Sequence, residues 1–194
     1  STIMLNLVAV QIVNYLLAGP LRDKTAESVG GLIPQTRLLP EGSWLPNATA
    51  TYGTALALAG QTAEAQRVLQ ESLGTGKVAG PALADTHNGL GLCALGSGKA
   101  AAALDHFQKA LETAGPPDPP SRIRAAAVLG AGMAQLELGK LQEAEKTLRE
   151  ADAAYRKIYQ LPTPALADVK VARGRVAMLE GRAGDASALF AEAD

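Results

Sequence analysis

Glycine returns at a nearly constant interval along this chain. Gly60, Gly98, Gly139 and Gly181 stand 38, 41 and 42 residues apart. Each sits between two stretches in which apolar or small residues recur at steps of three and four, the spacing that keeps one face of a helix dry. A regular period with a turn at its middle leaves few folds open. Each unit reads as a helical hairpin, one hairpin cannot bury its apolar face alone, and the units must therefore stack. The expectation is an all-α chain.

The clearest unit is residues 121–158. Its second half places Leu141, Ala144, Leu148, Ala151, Tyr155 and Ile158 on one helical face. The opposite face carries Glu145–Arg149 and Asp152–Arg156 at i,i+4 spacing, which adds a few tenths of a kcal/mol per pair. The same reading sets helix pairs at 47–59 with 62–73, 81–96 with 99–114, 121–138 with 141–158, and 164–180 with 183–193. Pro46, Pro81 and Pro164 open first turns, where a missing N–H costs nothing. Thr163 is placed to cap the helix that follows it. The run Pro116-Pro117-Asp118-Pro119-Pro120 spaces one hairpin from the next. A step of 41 back from Gly60 lands on Gly19, which implies a fifth, degenerate hairpin within residues 1–45, completed by a loop that Pro34 and Pro40 punctuate. Trp44, the only tryptophan, is expected to pin that loop. Aromatics make up 4% of the chain against 47% hydrophobic residues, so the core must be Ala, Leu and Val. Alanine favours helix and lets helices approach closely.

Aligned on the turn glycines, the units share more than a turn. Ala65, Ala103, Ala144 and Ala186 follow by five residues; Leu69, Phe107, Leu148 and Phe190 come four later; Ser72, Ala110, Ala151 and Ala193 stand three further on. Seven residues before each turn is another glycine: Gly53, Gly91, Gly132 and Gly174. This pattern resembles the tetratricopeptide repeat in its longer-period variety of about 40 residues. That variety occurs in bacterial multidomain signalling proteins and kinesin light chains. The resemblance implies a right-handed α-α superhelix, a solenoid of about five helical hairpins. Four repeats would occupy 46–194, the last truncated, with the degenerate hairpin in 1–45. It further implies that the first helix of each pair lines a concave groove. By that carry-over the lining is Thr54, Asp85, Asn88, Leu92, Leu95, Leu129, Met133, Leu136, Asp168, Val171 and Arg175. Such a mainly apolar lining suits a partner's amphipathic helix or an extended apolar peptide. The competing structural reading is that these residues touch adjacent repeats or are covered by the N-terminal segment. Relatives that grip a C-terminal carboxylate use Lys and Asn in the groove; the matching places here hold Ala50, Thr51, Thr54, Asn88, Gly89 and Leu92, with no lysine, which argues against that mode.

Several other activities find no support. The formal net charge is −1, so there is no basic footprint for nucleic acid. Residues 1–21 carry no charge, but Asn6, Gln11 and Asn14 interrupt the apolar run and Gly19-Pro20 ends it, leaving it at the lower limit for a bilayer span. A buried helix is the better reading. Cys93 is the only cysteine and fits a reducing compartment, the cytoplasm. His87 and His106, the only histidines, read as a groove-edge and a surface residue. With Cys93 they fall short of the four convergent ligands of a zinc site, so no metal or cofactor is expected. Gly74-Thr75-Gly76-Lys77 lacks the full spacing of a phosphate loop and reads as a helix cap and turn. Glu143, Glu145 and Glu150 lie on charged outer faces, and no acid–base pair is isolated in an apolar setting. The expectation is a non-enzymatic interaction scaffold or adaptor. The alternatives are a regulatory or sensor domain of a larger bacterial signalling enzyme or transcription regulator, and an architectural array. Leu189 and Phe190 near an open end imply self-association, head to head or head to tail.

Overall fold

The computed structural model describes residues 45–159 and 161–193, and every regular element among them is a helix. In chain order these are α1 (Leu45–Leu58), α2 (Thr62–Gly74), α3 (Gly80–Gly96), α4 (Ala100–Thr113), α5 (Arg122–Glu137), α6 (Leu141–Ile158), α7 (Pro164–Leu179) and α8 (Ala183–Ala191). They pair as four hairpins, with ends within about two residues of those read from periodicity. The expected fifth hairpin and Trp44 lie outside the described residues.

All four hairpin turns are built the same way. Gly60, Gly98, Gly139 and Gly181 take φ values of 71–78°, a left-handed conformation that only glycine adopts without cost. The next residue's N–H then reaches back five positions, as Lys99 N to Ala94 O at 2.8 Å and Arg182 N to Ala177 O at 2.8 Å. The glycine N–H meanwhile bonds the carbonyl three before it, as Gly139 to Leu136 at 2.9 Å. This is the Schellman arrangement, which satisfies carbonyls a helix end leaves orphaned. Helix starts are capped where the chain supplies a hydroxyl. Ser121 Oγ accepts from Arg124 N–H, and Thr163 Oγ1 accepts from Leu166 N–H. Pro81 and Pro164 stand in first helical turns, as expected.

The hairpins stack in two layers. Each first helix (α1, α3, α5, α7) packs on its own partner and on the neighbouring first helices, and α2, α4 and α6 each also pack on the first helix that follows. Among the described residues, second helices of different hairpins do not meet. One bulky side chain per second helix locks the layers together. Leu69, Phe107 and Leu148 are at most 1% exposed. Phe107 lies against Gly91 of its own hairpin and Gly130 of the next, where a Cβ would have no room. Leu69 occupies the same position between Gly53 and Gly89. Leu148 rests on Gly132 and shares a cluster with Ala172 and Val176 of α7. The rest of the core is largely alanine, as the composition demanded.

A candidate interaction surface on the first helices

The side chains read as a groove lining all sit on first helices, but they divide into three groups. Asn88, Leu129 and Leu136 are buried. Asn88 Nδ2 donates to Ile123 O of the next hairpin at 3.0 Å. Leu129 and Leu136 join a cluster with Leu148, Val169 and Val176. These three hold neighbouring hairpins together and drop out of any accessible lining; the reason is that a first helix must serve both the surface and the next repeat.

Thr54, Asp85, Leu92, Leu95 and Met133 are half-buried. Thr54 Oγ1 donates to Asp85 O at 3.0 Å, tying α1 to α3, while Thr51 Oγ1 lies 3.5 Å from the Asp85 carboxylate. Leu92 and Leu95 pack at the edge of the Phe107 cluster, and Met133 at the edge of the Leu148 cluster. Asp168, Val171 and Arg175 on α7 are exposed. Arg175 pairs across to Glu137 of α5 at 2.8 Å. Asp85 and Asp168 occupy the same repeat position, six before the packing glycine. Burial raises the pKa of both; at Asp85 the Arg122 guanidinium and the two threonine hydroxyls oppose it.

The second helices present a different surface. Glu145–Arg149 and Asp152–Arg156 form at 2.7 Å each, as their spacing required. Glu145 also accepts from Arg173 of α7 at 3.1 Å, and these two guanidiniums hold its carboxyl below the usual range despite its burial. Cys93 is buried among Leu56, Ala65 and Val68, and burial raises its thiol pKa. Gly74 ends α2 and Gly76 turns the chain at φ 64°, so the Gly-Thr-Gly-Lys segment is a helix end. Among the described residues no three His, Cys, Asp or Glu side chains gather as metal ligands. None of the described helices is long and apolar enough to cross a membrane.

The two histidines are not separate features. His87 on α3 and His106 on α4 face one another with Nδ1 atoms 3.2 Å apart, one ring donating to the other. Periodicity could not reveal this, because it depends on how the two helices of the hairpin align. Burial, together with nearby Lys109, lowers both imidazole pKa values, His106 adding to the effect at His87; Asp105 opposes it at both rings and Glu112 at His87. The unfolded rings protonate as pH falls through about 6.5, while the folded pair stays neutral to lower pH. Stability is therefore present above that value and declines below it until the folded rings also titrate. We expect the urea midpoint to fall between pH 7.5 and 5, and His87→Gln with His106→Gln to flatten that slope.

A two-layer stack of helical hairpins, each crossing on small residues, is a tetratricopeptide-like helical repeat fold. Among solved structures, PilF of Pseudomonas aeruginosa superposes with a TM-score of 0.57 at 20% identity, over 76% of this chain and 59% of that one. BtubC of P. vanneervenii superposes with a TM-score of 0.64 at 18% identity, over 81% of this chain and 65% of that one. The chain thus spans roughly three fifths to two thirds of the length of these neighbours, and the likeness at such identity is one of fold. No protein-family model matches the sequence, and no curated protein does.

Proposed function

We propose that this array is a protein-interaction module, non-enzymatic and without a cofactor, whose first helices bind a helix or extended segment of a partner. On this reading residues 46–194 carry four repeats and 1–45 a degenerate one, and the module works in the cytoplasm, where a lone buried thiol is at home. The observation that carries it is the contrast between layers. The second helices α2, α4 and α6 carry i,i+4 ion pairs on their outer faces, whereas the first helices leave Leu92, Leu95 and Met133 half-buried, with Asp85 and Asp168 nearer the N-terminal ends of α3 and α7. Those two carboxylates are partly desolvated and stand at one end of the helices, so a cationic residue on an otherwise apolar segment is the favoured ligand chemistry.

Photo-crosslinking tests the assignment. A benzophenone side chain at Met133 or Arg175 is expected to capture a bound partner, and the same group at Gln108 or Glu150 on the second helices is not. Capture from the second helices alone would refute the groove.

A further inference from the structure

The contact between His87 and His106 joins two imidazoles that are 19 residues apart in sequence. One stands near the middle of α3 and the other near the middle of α4. Their ring centroids are 5.5 Å apart and their Nδ1 atoms 3.2 Å apart, so the rings meet edge to edge with Nδ1 foremost on each. As a hydrogen bond, this arrangement uses one Nδ1 proton and one Nδ1 lone pair. The same two atoms are also spaced as ligands of a single metal ion. Two nitrogens at about 2.0–2.1 Å from a tetrahedral cation stand about 3.3–3.4 Å from one another, close to the separation found here. The pair therefore scarcely has to open. Each ring has to tilt by about 35°, so that the two lone pairs converge beside the N···N line rather than along it.

The surroundings favour a cation at this place. Both rings are half-buried rather than enclosed. Asp105 and Glu112 direct negative charge at His87, and Lys109, which opposes them, is held by Asp105 at 2.7 Å. Burial keeps both imidazoles neutral at pH 7, the form a metal requires. Cys93 is no part of the arrangement, since it is buried among Leu56, Ala65 and Val68. Grouping the histidines with that thiol in the sequence therefore hid the pair that the hairpin brings together.

We propose that His87 and His106 form a two-ligand clip for a divalent transition-metal ion, which fastens α3 to α4. Imidazole nitrogens suit Cu²⁺, Ni²⁺ and Zn²⁺, with Cu²⁺ bound most tightly, and do not suit Mg²⁺ or Ca²⁺. Water completes the coordination shell, so the clip differs from a closed four-ligand zinc centre. The ion performs no reaction there. On binding, the Nδ1 proton of the donating ring is replaced by one on its own Nε2, both rings coordinate through Nδ1, and no net proton is released. The unfolded chain does not hold the two rings together, so the ion favours the folded hairpin and stabilises it by mass action. This inference does not rest on the groove reading.

Calorimetric titration of the whole chain with Ni²⁺, together with thermal unfolding, tests it. One ion per chain is expected, with an unfolding midpoint that rises with Ni²⁺ and not with equal Mg²⁺. His87→Gln and His106→Gln are each expected to weaken Ni²⁺ binding by at least about tenfold, the low end for losing even an outer partner of a metal ligand. Circular dichroism checks that both variants remain helical. Electron paramagnetic resonance of the Cu²⁺ form reads the ligands without any substitution. The chain has only these two histidines, so a spectrum with two imidazole nitrogens per copper is expected from the parent protein. Fewer than two, or a Ni²⁺ affinity unchanged in either folded variant, would overturn the clip and leave the contact a hydrogen bond alone.

Discussion

Phe107→Ala is expected to cost about 3–5 kcal/mol, the range for truncating a buried aromatic, and to fall toward the top of that range. The ring is 1% exposed and lies between α3 of its own hairpin and α5 of the next. It rests on Gly91 and Gly130 and is otherwise surrounded by the small Ala103, Ala131 and Ala134, with Leu92, Leu95 and Leu104 only at the edge. The cavity would therefore open at a junction between hairpins, which are held only by nearest-neighbour contacts. Total stabilities of about 5–15 kcal/mol are usual for single domains, so a loss of this size at one junction is expected to uncouple α1–α4 from α5–α8. Urea unfolding followed by circular dichroism checks both parts: an earlier onset, and a second transition absent from the parent protein. One cooperative transition displaced by less than 1 kcal/mol would contradict the assignment of Phe107 as the lock between hairpins.

Gly130→Ala sets two effects of opposite sign against each other. Glycine within a helix costs about 1 kcal/mol relative to alanine, so propensity alone forecasts a more stable protein. A Cβ at residue 130, however, would overlap the ring of Phe107. The ring is rigid and enclosed, and relief requires the two helices to move apart. Overpacking of this kind typically costs 1–3 kcal/mol, and the closeness of the overlap places it at the upper end. A net loss of about 1–2 kcal/mol is expected. Gly184→Ala is the control, since a Cβ there meets nothing within 4 Å, and it is expected to be neutral or stabilising. Adding Phe107→Leu to Gly130→Ala should recover part of the loss, a non-additivity that a double-mutant cycle reads directly. A Gly130→Ala protein as stable as Gly184→Ala would refute the close approach of α4 to α5.

The hairpins were legible because their determinants are local. A turn glycine acts within six residues of itself, and α6 displays a clean stripe from Leu141 to Ile158 against a charged opposite face. Gly91 was legible too, since it lies in phase with its own hairpin. Gly130 was not, because its partner Phe107 belongs to the preceding unit, and within α5 it is one of several small residues. The same limit misplaced part of the surface. In α5 the buried residues run almost continuously from Ala125 to Leu136, so apolarity around that helix does not distinguish a side that meets a neighbour from a side that faces outward. Leu129 and Leu136 were therefore assigned to a groove and found between hairpins. Val171 and Met178, at equivalent positions in α7, are exposed, and no further first helix packs on α7 among the described residues.

Among the described residues, the lack of contact between second helices of different hairpins has a mechanical consequence. Neighbouring hairpins are joined through the first-helix layer and through the packing of each second helix on the first helix that follows, by its bulky side chain and, at α6, by the Glu145–Arg173 ion pair. Outer helices can therefore fan apart or close up by small rotations about those seats while the buried core stays intact. A stack tied along one side bends like a leaf spring, soft in the plane that opens the outer layer and stiff along its length.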